Sequence, residues 1–398
     1  MLKKKTLCLV MIVRNESKVI RRCLDRVKDH IDYWVIVDTG STDNTPEIIQ
    51  EVLKSVPGEL HREKWINFGV NRTQSLQYAK NKADYLLLCD ADEQILFSEQ
   101  FNTALLEKDK YLISYIGAND YSVPYLIKGD LDWKYVGVTH EYLDCDGTVT
   151  QEKITSVNIL DLKDGGFKQE KYQRDIALLE EGLQQEPNNS RYKFYLANSY
   201  RDIENYEKAA YWYQKRIDDG GWKEEVTCAY ENLGNCYEKL ARGEAALSTW
   251  LKGYDYNPTR LECLYQAIRF LRLQDNVRLG YQLGLAALKI PYPVNDILFI
   301  KKSVYEFWIY YEMSICSYYT DDYQLGYDCC KKVLFNQPNS TILKVTLNNL
   351  RFYKRKAAND SPENIKKLID ILTEYLKNNQ DENAKNTLSF LITLLKNY

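Results

Sequence analysis

The 398-residue sequence contains no apolar run approaching the ~20 residues that cross a bilayer, so no membrane span is expected. Its most signal-like stretch, MLKKKTLCLVMIVRNES, has an apolar core running only from Leu7 to Val13. Arg14 stops that core and no small-residue cleavage site follows, so it reads as a first buried strand and the chain as cytoplasmic. A basic excess is missing too. With 53 Lys and Arg against 56 Asp and Glu, the chain lacks the positive face of a general nucleic-acid binder. There is no CxxC, and the ten cysteines show no framework spacing, which excludes a structural zinc and a disulfide scaffold and favours a reducing compartment. The adjacent pair Cys329 and Cys330 is expected on different faces of a helix. No GxGxxG follows the first strand and no Walker loop occurs anywhere, which removes dinucleotide and P-loop readings. Tyrosine is the exception to this scarcity: there are 33, mostly beyond residue 110, and they suit helix packing and sugar-binding walls.

What is present falls into two patterns. Up to about residue 165, apolar runs (LCLVMIV, YWVIVD, YLLLC) alternate with amphipathic stretches (ESKVIRRCLDRVKDHI, STDNTPEIIQEVLKSV, NFGVNRTQSLQYAKNKA). In the second amphipathic stretch Asp43 or Asn44 is a candidate N-cap, with Pro46 in the first turn. Strand and helix in alternation predict an α/β domain, a mostly parallel sheet with helices on both faces. From about 168 the period turns helical. LANSY aligns with LGNCY, and Ala209-Ala210 with Ala245-Ala246, about 36 residues on, and two further copies follow. This predicts an all-α helical solenoid of tetratricopeptide-like pairs, interrupted by an insertion from Pro293 to Trp308. The expected domains are 1–167 (α/β), 168–340 (repeats) and 341–398 (a C-terminal helical cap).

In an open parallel sheet, ligands bind outside the carboxyl ends of the strands. Three such ends here are polar: RNE, DTGSTD and DADE. A single acid there is commonly a turn residue; three polar ends converging on one crevice point to a site. The DAD triplet offers hard oxygen ligands suited to Mn2+ or Mg2+ that also bridge to substrate phosphates. The residues alone therefore predict a metal-assisted, nucleotide-diphosphate site.

The stretches MIVRNES, VIVDTGSTDNT, RTQSLQYAKNKADYLLLCDADE and GVTHEYLD resemble the family-2-type glycosyltransferases of GT-A fold, in the branch where tetratricopeptide repeats follow the catalytic domain. The resemblance covers about residues 5–255. It implies transfer of a sugar, with inversion, from a UDP-linked or other nucleotide-sugar donor to a protein, peptide or glycan acceptor. Carried over, Val13, Glu16 and Ala91 lie beside the nucleotide, and Asp38 hydrogen-bonds the base. Arg72 matches a nucleotide-binding position, although a solvated helix residue is its alternative. Asp90 matches the ribose-side acid and Asp92 the metal ligand, while Glu93 orients its neighbours. His140 stands where related enzymes place a further metal contact. Glu141 is the nearest candidate for the catalytic base, with Asp132 and Asp144 as competitors. Lys171 and Arg174 are candidates to neutralise the leaving diphosphate, or ordinary helix-surface charges.

Two rivals remain in view. A nucleotidyltransferase also uses paired acids, but its Gly-rich loop after the first strand is replaced by VRNES. A binding module with an inactive front domain is the other, and the intact acids at every expected position oppose it. The repeats are expected to serve acceptor recognition or self-association. Composition does not choose the sugar; the walls from about Ala118 to Trp133 are expected to.

Overall fold

The computed structural model describes residues 3–116, 122–162, 164 and 168–397, and its contacts divide the chain into two compact units, Met1–Ser199 and Tyr200–Tyr398. The first opens with β1 (Leu7–Val13), α1 (Ile20–Val27), β2 (Tyr33–Asp38), α2 (Thr45–Val52), β3 (Gly58–Arg62), α3 (Phe68–Ala79) and β4 (Tyr85–Leu88). These strands pair in parallel in the order β3-β2-β1-β4. Side chains alternate across a strand, and β1 shows why both of its faces need cover. Leu7, Leu9, Met11 and Val13 share a core with Ile20, Leu24 and Val27 of α1 and Ile49 of α2. On the opposite side Cys8 and Val10 pack with Leu76 and Ala79 of α3. Each such aliphatic side chain removed from water contributes about 1.5–3 kcal/mol.

Beyond β4 the alternation with helices stops. β5 (Glu93–Phe97), β6 (Lys110–Tyr115), β7 (Ser122–Lys128) and β10 (Gln151–Asp161) extend the same sheet to eight strands, as β4-β7-β6-β10-β5. Of these added pairings only β10 with β6 is parallel. Between β7 and β10, β8 (Trp133–Val136) and β9 (Tyr142–Cys145) form a separate antiparallel hairpin. The sheet is thus parallel from β3 to β4 and mixed in its other half. Polar edge strands such as GELHR carry too little apolar signal to be read from the pattern. The unit closes with α4 (Lys168–Gln185) and most of α5 (Ser190–Asp202).

The second unit is helical: α6 (Tyr206–Asp219), α7 (Lys223–Lys239), α8 (Gly243–Tyr256), α9 (Glu262–Leu273), α10 (Val277–Ala287), α11 (Ile309–Tyr319), α12 (Tyr323–Phe335), α13 (Ser340–Tyr353), α14 (Pro362–Asn378) and α15 (Glu382–Leu395). Sequential helices from α6 to α13 pack as neighbours, as do α14 and α15, and α7, α9, α11 and α13 also touch in succession, as stacked tetratricopeptide-like pairs do. One turn recurs. Glu204, Ala241, Asp275 and Asp321 all have positive φ, and in each case the next residue's N–H reaches back into the preceding helix: Asn205 to Tyr200, Arg242 to Tyr237, Asn276 to Leu271 and Asp322 to Ser317. This is the Schellman helix end, here built without glycine. The inserted segment is tied down by charge: Arg260, 1% exposed, forks onto Glu262 and reaches the Leu298 carbonyl, while Glu224 accepts the N–H groups of Ile297 and Leu298. All ten cysteines are free thiols, and Cys329 and Cys330 are both buried. No helix among the described residues is long and apolar enough to cross a membrane.

Candidate active site

The carboxyl ends of β1 and β2 are held together by their own polar residues. The Val13 carbonyl accepts the Thr39 N–H (2.9 Å) and hydroxyl (3.1 Å). Asn15, with φ +57°, accepts the Thr42 N–H at 2.8 Å and donates its own N–H to Ser41. The Glu16 N–H goes to Thr45 and the Ser17 N–H to Asp43. Burial works against ionisation of Asp43, but the hydrogen bonds from Ser17 and Thr45 prevail and hold it down to about 2. Much of RNES and DTGSTDNT is therefore loop-to-loop stitching. Asp38, 4% exposed, caps the turn by accepting the N–H groups of Gly40 (3.2 Å) and Ser41 (2.8 Å) through Oδ1. It lines a hollow of about 350 Å3 with Gly40, Ser41, Thr42 and Arg62.

The DAD turn joins β4 to β5. Its shape is set by Glu93, whose carboxylate accepts the Asp90 N–H at 3.0 Å and the Tyr115 hydroxyl. The Asp92 carbonyl faces Arg22 Nη2 at 3.4 Å, and Ala91 is buried beneath the turn. Negative charge accumulates here. Burial, then Asp92, Asp90 and Asp43, push Glu16 up to about 7; burial, then Asp90, push Glu93 to about 7; Asp92 is raised by burial and by Asp90. Oxygen donors that repel one another in a half-buried turn fit a hard divalent cation such as Mn2+ or Mg2+. Among the described residues, however, no group of three or more His, Cys, Asp and Glu side chains is placed to hold a metal ion, so an ion at this turn would need substrate oxygens or water as further ligands.

Arg72, on α3, is a buried cation set into this acidic ground. Its Nη2 lies 2.6 Å from Asp90 Oδ1 and its Nε 2.8 Å from Glu141 Oε1. The Nε–H is not aimed at Glu141 and has no hydrogen-bond partner. Burial alone would lower the Arg72 pKa, but Asp90 and Glu141 overcome it and raise it. This geometry sets Arg72 between two acids rather than on an open helix surface. Glu141 arrives from the β8–β9 turn, which α3 receives closely: Phe68 N–H bonds the Val138 carbonyl, and a Cβ on Gly69 would sit 2.1 Å from the Gly137 carbonyl oxygen. The competitors for the base lie elsewhere. Asp132 pairs with Lys80 and is largely exposed; Asp144 faces Lys134 at 3.7 Å.

His140 occupies the same turn, with φ +49°. Its carbonyl accepts Arg191 Nη2 (2.8 Å) and Nε (3.2 Å), and its ring stacks on Tyr195 at 4.2 Å. Its Nε2 is 3.8 Å from Oδ2 of Asp175. Burial, then Lys171 and Arg191, lower the imidazole to about 4, so it is neutral at pH 7. Lys171 and Arg174 are exposed on α4 near this corner, Arg174 lying over the Phe68 ring at 4.9 Å. Asp175, Arg191 and Tyr195 escaped the sequence reading. Asp175 left one trace: it takes the apolar register shared by the buried Leu179 and Leu183. Of the wall expected to choose the sugar, residues 118–121 lie outside the described residues.

The chain carries a glycosyl transferase family 2 domain at its N-terminus: residues 8–107 match that family, an interval that ends before His140 and Glu141. A TPR repeat-containing protein of Synechococcus elongatus is 39% identical over 88 residues, 22% of this chain and 21% of that one. The SPbeta prophage-derived glycosyltransferase SunS of Bacillus subtilis is 28% identical over 233 residues, 54% of each chain. The chain therefore spans about a fifth of the length of the first relative and about half of the second. Among solved structures, the TPR protein YrrB aligns with a TM-score of 0.33 at 16% identity, covering 44% of this chain and 81% of that one. Yeast Tom70 aligns with a TM-score of 0.37 at 12% identity, covering 59% and 45%.

Proposed function

We propose that the protein is an inverting glycosyltransferase that moves a sugar from a nucleotide-sugar donor, UDP-linked by preference, to a protein, peptide or glycan acceptor. The observation that carries this reading is the chain Asp90–Arg72–Glu141 at the carboxyl ends of the strands, within a glycosyl transferase family 2 domain and its adjoining hairpin. Asp38 and its hollow receive the base, with Val13, Glu16 and Ala91 along the nucleotide. Asp90 takes the ribose. Asp92 and His140 would hold Mn2+ or Mg2+, which when bound supplies positive charge to the departing diphosphate. Lys171 and Arg174 add positive charge on the α4 side. Glu141 takes the proton from the attacking acceptor atom, and Arg72 holds its carboxylate in place. A positioned base of this kind contributes about 10²–10⁴-fold. The repeats of the second unit bind the acceptor or a second copy of the chain.

The test is a panel of nucleotide sugars with Mn2+. Release of the free nucleoside diphosphate is expected; pyrophosphate would instead mean nucleotidyl transfer, and no product from any donor would leave a binding module.

A further inference from the structure

The first helical pair after the sheet has a feature that packing does not require. Asp175, on α4, is 1% exposed in a position whose neighbours one and two helical turns on are Leu179 and Leu183. A carboxylate in such a place needs a partner. It accepts one hydrogen bond from the Thr139 hydroxyl, at 3.3 Å. Its other close contacts are two cationic or imidazole nitrogens at 3.8 Å, Arg174 Nε and His140 Nε2. His140 is held on its other sides by Tyr195 against the ring face and Arg191 on the carbonyl. Three residues from α4 and α5 thus converge on one histidine, two of them on its ring, and its backbone sits in the left-handed region.

The geometry points to Asp175 as a positioning residue for His140, holding the hydrogen on Nε2 so that Nδ1 keeps the free lone pair for the metal–diphosphate side of the site. A neutral imidazole carries its hydrogen on one nitrogen and accepts or ligates through the other. Ligating histidines characteristically donate the second N–H to a carboxylate, which fixes tautomer and ring orientation. The 3.8 Å separation exceeds a direct hydrogen bond. A bridging water, or a small approach of the two side chains on substrate binding, would span it. Thr139, adjacent to His140, fixes the carboxylate from the other oxygen, so the turn that carries the imidazole also orients its partner. This inference rests on the donor-site role given to His140 above, and the measurements below separate the two.

The 398-residue chain has three histidines, His30, His61 and His140, so 15N spectra of the imidazoles resolve each one, with His140→Gln identifying its signal. In the wild type at neutral pH, His140 is expected as the Nε2–H tautomer, and Mn2+ added with UDP should broaden it. In Asp175→Asn the side-chain amide can present an N–H to Nε2. The tautomer ratio of His140 should then move several-fold toward Nδ1–H while His30 and His61 stay unchanged, and several-fold more Mn2+ should be needed to broaden it. An unchanged ratio overturns the proposal, as does a shifted ratio with unchanged Mn2+ dependence or a wild-type signal that Mn2+ and UDP do not broaden. If Asp175→Asn does not fold, Thr139→Val, which frees the carboxylate without removing it, must give the same shift at smaller amplitude or the proposal fails. Failure of the transferase reading has a separate signature: no nucleoside diphosphate released by the wild type, with the tautomer result intact.

Discussion

At the residue scale the site is a problem of crowded carboxylates. Asp92→Asn should abolish transfer and weaken Mn2+-dependent UDP binding while circular dichroism stays unchanged; more than a tenth of wild-type turnover would remove the metal role. Glu141→Gln keeps the shape and removes the basicity, so turnover should fall about 10²–10⁴-fold with donor affinity nearly unchanged. Lost donor binding would instead make Glu141 part of the Arg72 anchor, and near-normal turnover would return the role to Asp132 or Asp144. The crowding also has a pH signature. Glu16 and Glu93 titrate near 7 in the fold, above the ordinary glutamate value of 4.5. A group with a raised folded pKa binds its proton more tightly in the folded state, so its contribution is complete below the unfolded value and is lost as pH rises through the folded one. Metal-free protein should therefore lose thermal stability between about pH 4.5 and 7 through these two groups. Mn2+ should restore more of the melting temperature at pH 8 than at pH 5. Asp43, held down to about 2, acts in the opposite sense but only in strong acid. Equal Mn2+ effects at both pH values would show that these carboxylates do not face the ion.

At the element scale, two turns take left-handed residues for different reasons. In the β8–β9 turn the strain at His140 is held by Arg191 and Tyr195 and serves placement of a side chain. In the repeats it merely ends helices. Ala241, exposed and at φ +56°, takes the left-handed conformation with its own N–H on the Glu238 carbonyl, where an L-residue pays about 1–2 kcal/mol. Ala241→Gly should therefore stabilise the chain by about 0.5–1 kcal/mol in urea unfolding, after the loss from glycine's greater unfolded-state freedom. A destabilised variant would show that the turn is not strained.

At the scale of the whole molecule, the compact units divide at Ser199, so α4 and most of α5 group with the sheet rather than with the repeats. The expected repeat boundary at 168 and the contact division are different statements about the same helices, and truncation distinguishes them. A chain ending at residue 204 should release UDP from its donor, whereas one ending at 185 should not, because Arg191 and Tyr195 are gone. Both should fail to glycosylate the natural acceptor. Solubility is checked first, and UDP release by the 185 chain at the wild-type rate would confine α5 to a structural role.

The sequence by itself determined the parallel half of the sheet, the helical repeats and the acids at strand ends, because each is written in local periodicity or in adjacent residues. DADE is contiguous, and so is the alternation of β1. Tertiary structure alone decided what those residues meet. That Arg72 stands between Asp90 and Glu141, that Glu93 shapes the turn from Tyr115, and that Asp175 faces His140 all join positions far apart in the chain. The mixed half of the sheet was equally silent: its strands are half-polar and paired out of order, so their partners are chosen by the sheet edge they find and not by a pattern each one carries.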